Sequence, residues 1–199
     1  ERTQTQIYLG HDGVAADHPD RATLAVVNTA FGGTFTARLM QEIRVERGWS
    51  YGAYSTMGTD RDAGAFHIWL HPASADAPPA LGRTLELYEA LARDGLTDAE
   101  LSFAKEYLSG SFAFVYETPG RLADELVRLE VLGLPRDHLD TWVDRVRAVS
   151  PDDIRRVVSE LLHPEDLLIT ILGTSAGLEG ALRKLPGVRE VEVVPYDSE

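Results

Sequence analysis

The groups in this 199-residue chain that could do chemistry are six histidines, thirty-two carboxylates and the serine, threonine and tyrosine hydroxyls; there is no cysteine. Without thiols, disulfides, zinc–thiolate sites and thiol catalysis are excluded. The histidines stand in neither H-E-x-x-H nor H-x-x-E-H, the spacings that bring two imidazoles and a carboxylate to one helical face around zinc. His11-Asp12 and Asp17-His18 bracket a loop and are of metal-ligating type, but a metal site needs ligands held by further partners, and a solvated loop is the plainer reading. His67 and His71 fall four apart on a predicted strand, on the same face but ~13 Å apart, too far to share one ion.

Ser175 lies in Gly173-Thr174-Ser175-Ala176-Gly177, a G-x-S-x-G pattern between a predicted strand and helix, which is the setting of a nucleophile elbow. In that arrangement the histidine follows the serine. Here the last histidine is His163, so a corner of small residues explains the pattern without catalysis. There is no G-x-G-x-x-G and no Walker A loop.

The elements that must position any site follow from period and punctuation. Residues 3–9 alternate as a strand, and residues 10–19 read as a loop. Residues 21–31 are apolar on most sides and read as a buried helix ended by Gly32-Gly33. Thr34 is placed to cap a second helix, on which Phe35, Leu39, Met40 and Ile43 recur as one apolar face. Gly48 stops that helix, with Arg44 and Arg47 in its last turn as the helix dipole prefers. Arg38 and Glu42, four apart, read as an ion pair on this helix.

Residues 50–58 and 65–71 flank a turn and predict a hairpin. Helices follow: a long one opened by Pro78-Pro79, one capped by Thr97 with Glu100 three residues on, then residues 121–132 and 139–149, then one opened by Ser150-Pro151. Residues 167–172 predict a buried strand and residues 178–184 a short helix, and residues 188–194 are a candidate last strand. Strands do not alternate singly with helices, so the chain is expected to be α+β: a two-layer sandwich, a mainly antiparallel sheet with helices packed on one face. A single domain over residues 1–199 is expected, with no repeat or linker, and a fragment of a longer chain is suspected from its abrupt start without Met.

Composition is ordinary globular, 44% hydrophobic and 26% charged. The net charge of −13 repels phosphate backbones and anionic lipid surfaces, so neither nucleic acid nor membrane is an expected partner. No apolar run approaches the ~20 residues of a membrane span. The compartment stays open between exported and cytoplasmic.

The informative stretch is FGGTFTARLMQEIRVERGWSYGAYS, residues 31–55: a double-glycine turn, an Arg-Leu-x-Gln-Glu-Ile-Arg helix, and an Arg-Gly-x-Ser-Tyr-Gly junction into a strand. It resembles the C-terminal-type domain of the pitrilysin/insulinase zinc metallopeptidases, the inverzincins. The resemblance is strong over residues 6–55 and weaker along the rest through the order of elements. It implies a clamshell of similar domains around a chamber. One half carries H-x-x-E-H and zinc; the matching half has no metal and contributes an arginine and a tyrosine spaced R-x6-Y. That pair falls on Arg44 and Tyr51. The resemblance therefore implies a zinc-bearing homologous domain or subunit and a peptide substrate as partners, with zinc in the partner half and no cofactor in this chain.

On residues alone, Arg44 can instead complement the helix C-terminus and Tyr51 fill the sheet edge. Two functions stay open: the accessory half of a zinc peptidase, inactive alone, or a non-catalytic assembly or peptide-binding module of the same fold.

Overall fold

The structure, a computed structural model, describes residues 3–195; residues 1–2 and 196–199 of the expected 1–199 domain lie outside the described residues. Its centre is a four-stranded antiparallel sheet in the order β2-β3-β1-β4, from β1 (Gln6–Asp12), β2 (Ser50–Met57), β3 (Ala65–Pro72) and β4 (Leu168–Leu172). One face is buried: Ile7, Leu9, Ala53, Phe66, Ile68 and Leu70 are at most 2% exposed. Helices α1 (Arg21–Phe31), α2 (Ala77–Asp94), α3 (Asp98–Ser111), α5 (His138–Ala148) and α6 (Pro151–Leu161) supply the other side of this core. The opposite sheet face carries Tyr8, Tyr54, His67, Trp69 and His71, and Tyr8 is 44% exposed. This is the two-layer α+β sandwich expected from the order of elements.

The cause of the layering is period. The alternating burial along β3 puts every second residue inward, and α1 is buried nearly all round because α3, α5, α6 and β2 all pack on it. A second, smaller apolar cluster joins Ala16, Leu129, Leu132, Leu134 and Leu139, where α4 (Pro119–Leu132) meets the start of α5. A short α7 (Glu179–Leu182) follows β4. Among the described residues no helix is long and apolar enough to cross a membrane.

Two helix starts are fixed by reciprocal capping. The Thr97 hydroxyl accepts from the Glu100 N–H while the Glu100 carboxylate accepts from the Thr97 N–H, and Ser150 and Asp153 repeat the arrangement.

Several expectations are corrected. β1 does not stop at Leu9, because Gly10, His11 and Asp12 pair with His67, Phe66 and Ala65. Residues 188–194 form no strand; the chain there has no ladder partner among the described residues. Thr34 caps no helix, since its hydroxyl donates to the Thr29 carbonyl at 3.4 Å and helical turns begin only at Arg38. Phe35 therefore precedes the helix and is 55% exposed, whereas Leu39, Met40 and Ile43 are fully buried. Arg38 and Glu42 do not pair with each other. Arg38 reaches Glu100 at 2.8 Å, and Glu42 takes Arg47 at 2.7 Å and Arg83 at 2.9 Å.

Candidate functional site

The stretch from Gly32 to Tyr51 builds one rim of the molecule. Gly32 ends α1 against β2: the Ser55 N–H donates to the Gly32 carbonyl at 3.1 Å, and a Cβ on Gly32 would lie 2.4 Å from Ser55 Oγ and 2.5 Å from Ser55 N. Only glycine fits that approach. The helix that follows widens to π-helical turns over Met40–Glu46, and Ile43 and Met40 anchor it in the core. Gly48, at φ +65, ends it in the left-handed conformation, with its N–H donating to the Arg44 carbonyl at 3.0 Å.

The next turn sends Tyr51 outward. The Ser50 side chain is buried, its hydroxyl donating to the Gly52 carbonyl at 2.6 Å and accepting from the His71 N–H at 2.9 Å. The β2–β3 register shifts between Ser50 and Ala53, so Tyr51 lies in a bulge and leaves the ladder. It is 82% exposed and fills no sheet edge.

Arg44 meets it there. Its guanidinium carbon lies 4.5 Å from the Tyr51 ring centre and 4.8 Å from that of Phe35, so the guanidinium lies over two exposed rings. Among the described residues no carboxylate pairs with Arg44, in contrast with Arg38, Arg47 and Arg83. The helix C-terminus is served by Arg47, which donates to the Glu42 carbonyl at 3.0 Å. The structure thus brings both residues of the R-x6-Y pair together on one rim, Tyr51 exposed and Arg44 half-buried. Phe35 is the member that sequence reasoning assigned to the buried face. No local signal marks its exposure, which goes with the close approach of Gly33 to α1 and the Gln41 bond to the Phe35 carbonyl.

The other candidates go elsewhere. His11 and His18 do not converge. The His11 Nδ1–H donates to the Asp12 carbonyl at 2.6 Å, leaving Nε2 to accept from the Tyr88 hydroxyl at 2.5 Å and from the His163 N–H at 3.4 Å. Burial lowers the His11 pKa and raises that of Tyr88. His18 Nδ1 accepts from the Asp20 N–H at 3.2 Å, while the Asp20 carboxylate grips Arg156, whose hydrogen bonds hold the Asp20 pKa down. His67 and His71 flank Tyr8 on the open sheet face. Ser175 is exposed in the loop between β4 and α7. Among the described residues no group of three or more His, Asp or Glu side chains is arranged to hold a metal ion.

Comparison with known proteins places this architecture. The family described as the peptidase M16 inactive domain matches residues 1–108. An uncharacterized zinc protease of Streptomyces coelicolor is 31% identical over 80% of this chain and 35% of its own length. A Helicobacter pylori protein named as a non-peptidase homolog is 25% identical over 85% of this chain and 39% of its own length. The crystal structure of a peptidase M16 inactive domain from Pseudomonas fluorescens superposes with a TM-score of 0.80 at 25% identity, covering 85% of this chain and 41% of that one. The chain belongs to the peptidase M16 family as its inactive type of domain, and it spans roughly a third of the length of the curated relatives it matches.

Proposed function

We propose that this chain is the zinc-free half of a zinc metallopeptidase, and that residues 1–199 are one unit of a larger peptidase, whether in one polypeptide or two. The observation that carries the reading is Arg44: a guanidinium lying over an exposed tyrosine, with no carboxylate partner among the described residues, on one rim of the fold. Such a pair suits a peptide group that gains negative charge on its carbonyl oxygen. Zinc, held by H-x-x-E-H in the homologous partner half, would supply the Lewis acid and the activated water for hydrolysis. This chain's part is to close the chamber, hold the peptide backbone with Arg44, and donate the Tyr51 hydroxyl to the developing oxyanion.

The test is Tyr51→Phe in the chain paired with its zinc-bearing half. The change removes one donor and almost no volume. Turnover should fall by roughly 10²–10³-fold, the usual loss for one oxyanion donor, while KM changes less because the bond strengthens in the transition state. With the ring 82% exposed, Tm should stay put. Wild-type kcat in Tyr51→Phe would remove it from the mechanism.

A second reading, a non-catalytic assembly or peptide-binding module, draws support from the relative named as a non-peptidase homolog. The two separate on one observation: an H-x-x-E-H in the remainder of the protein or in a partner subunit supports the peptidase, and its absence supports the module.

A further inference from the structure

We propose that Phe35 is a positioning residue for Arg44: with Tyr51 it holds the guanidinium by two ring contacts and so presets the arginine for the peptide backbone. This rests on the peptidase reading above.

The backbone around Phe35 is fixed although its ring is not in the core. The Phe35 carbonyl accepts from Gln41 Nε2 at 3.1 Å, and the preceding Thr34 is buried with its hydroxyl on the Thr29 carbonyl. Gly33 runs so close to α1 that a Cβ there would lie 3.0 Å from the Thr29 Cα. An anchored loop thus carries a large apolar ring outward, at 55% exposure, and Arg44 lies over that ring.

Contact with two rings restricts where the guanidinium can move, 4.8 Å from the Phe35 ring centre and 4.5 Å from that of Tyr51. Arginine side chains lose much rotamer freedom on binding, and a group already held loses less. Other arginines near rings differ. Arg47 lies over Trp49 at 5.4 Å but is committed to Glu42, and Arg145 lies over Trp142 at 5.5 Å and bonds His138. Among the described residues Arg44 is the arginine held by two rings.

The test uses the chain paired with its zinc-bearing half and a quenched-fluorescent decapeptide chosen from a mixed library by wild-type cleavage. Phe35→Leu keeps an apolar side chain and removes the ring. It should raise KM by about 2–5-fold, the size of one exposed cation–π contact, with kcat within twofold of wild type. Phe35→Tyr keeps the ring and should restore KM. In an Arg44→Ala background, Phe35→Leu should cost nothing further in kcat/KM. An unchanged KM in Phe35→Leu, failure of Phe35→Tyr to restore it, or equal losses in both backgrounds would overturn the proposal. A second arm needs no substrate: ring currents should displace the Arg44 Nε–H proton resonance in this chain, and Phe35→Leu should move it back toward its free position. A resonance that does not respond to Phe35→Leu overturns the proposal even where the pair cleaves peptide. A wild-type pair that cleaves nothing removes the peptidase reading, and the resonance then decides the Phe35 contact by itself.

Discussion

Glu100→Ala should weaken the attachment of the Arg44 helix to α3, because Glu100 is where Arg38 ties the two together. Its carboxylate accepts from Arg38 Nε at 2.9 Å and Nη2 at 2.8 Å, and from the Thr97 N–H at 2.8 Å and hydroxyl at 2.9 Å. The pair is mostly shielded, with side-chain exposures of 19% for Arg38 and 25% for Glu100. Truncation leaves the Arg38 guanidinium with the Gly95 carbonyl at 3.2 Å. Hydrogen bonds to charged groups contribute about 1.5–3 kcal/mol, and half of a capping box adds about 0.5–1 kcal/mol. The expected loss is about 2–4 kcal/mol, or a Tm lower by about 4–16 °C for a domain of this size. Calorimetry or circular dichroism on Glu100→Ala, Arg38→Ala and the double variant gives the coupling, expected at about 1–3 kcal/mol.

The same variant has a pH signature. Burial pushes the Glu100 pKa up, but Arg38 and Thr97 outweigh burial and hold it below its ordinary value. The carboxylate's contribution is therefore full above the unfolded pKa, about 4.3, and is lost as pH falls through the lower folded value. Wild type and Glu100→Ala should converge in that acid window. A Tm for Glu100→Ala within 1 °C of wild type at neutral pH, or additive single losses, would refute the argument.

Two further outcomes follow from the packing. Gly32→Ala should cost about 1–3 kcal/mol, read as a lower urea midpoint, because the new methyl meets the Ser55 backbone nitrogen as well as its hydroxyl; an unchanged midpoint would mean that α1 and β2 can part cheaply. Between pH 7 and 5 the chain should lose stability as His11 and His138 take up protons. Burial, first of all, lowers both pKa values in the fold, so their contribution is present above the ordinary histidine pKa and fades below it. His11→Gln should flatten that slope in melting curves taken every half pH unit, and a slope identical to wild type would exclude His11 as a source.

Most helices were legible in the sequence because their causes are local, the exception being the helix expected to start at Thr34. The span of α1, the Pro-opened α2, and the Thr97–Glu100 cap each depend on residues within four positions of one another. The residues 31–55 stretch also carried the family, since its glycines and its R-x6-Y spacing are local marks of one junction. What needed the tertiary structure is what depends on distant neighbours. Arg38 chose Glu100, 62 positions away, over Glu42 on its own helix, because α3 brings a carboxylate that can take both guanidinium nitrogens. β1 ran on to Asp12 because β3 offered it a ladder, and residues 188–194 pair with no strand among the described residues. Phe35 reads as core in any apolar pattern. Its exposure beside Arg44 follows from Gly33 passing close against α1 and from Thr34 and Gln41 anchoring the loop, contacts that hydrophobic period does not encode.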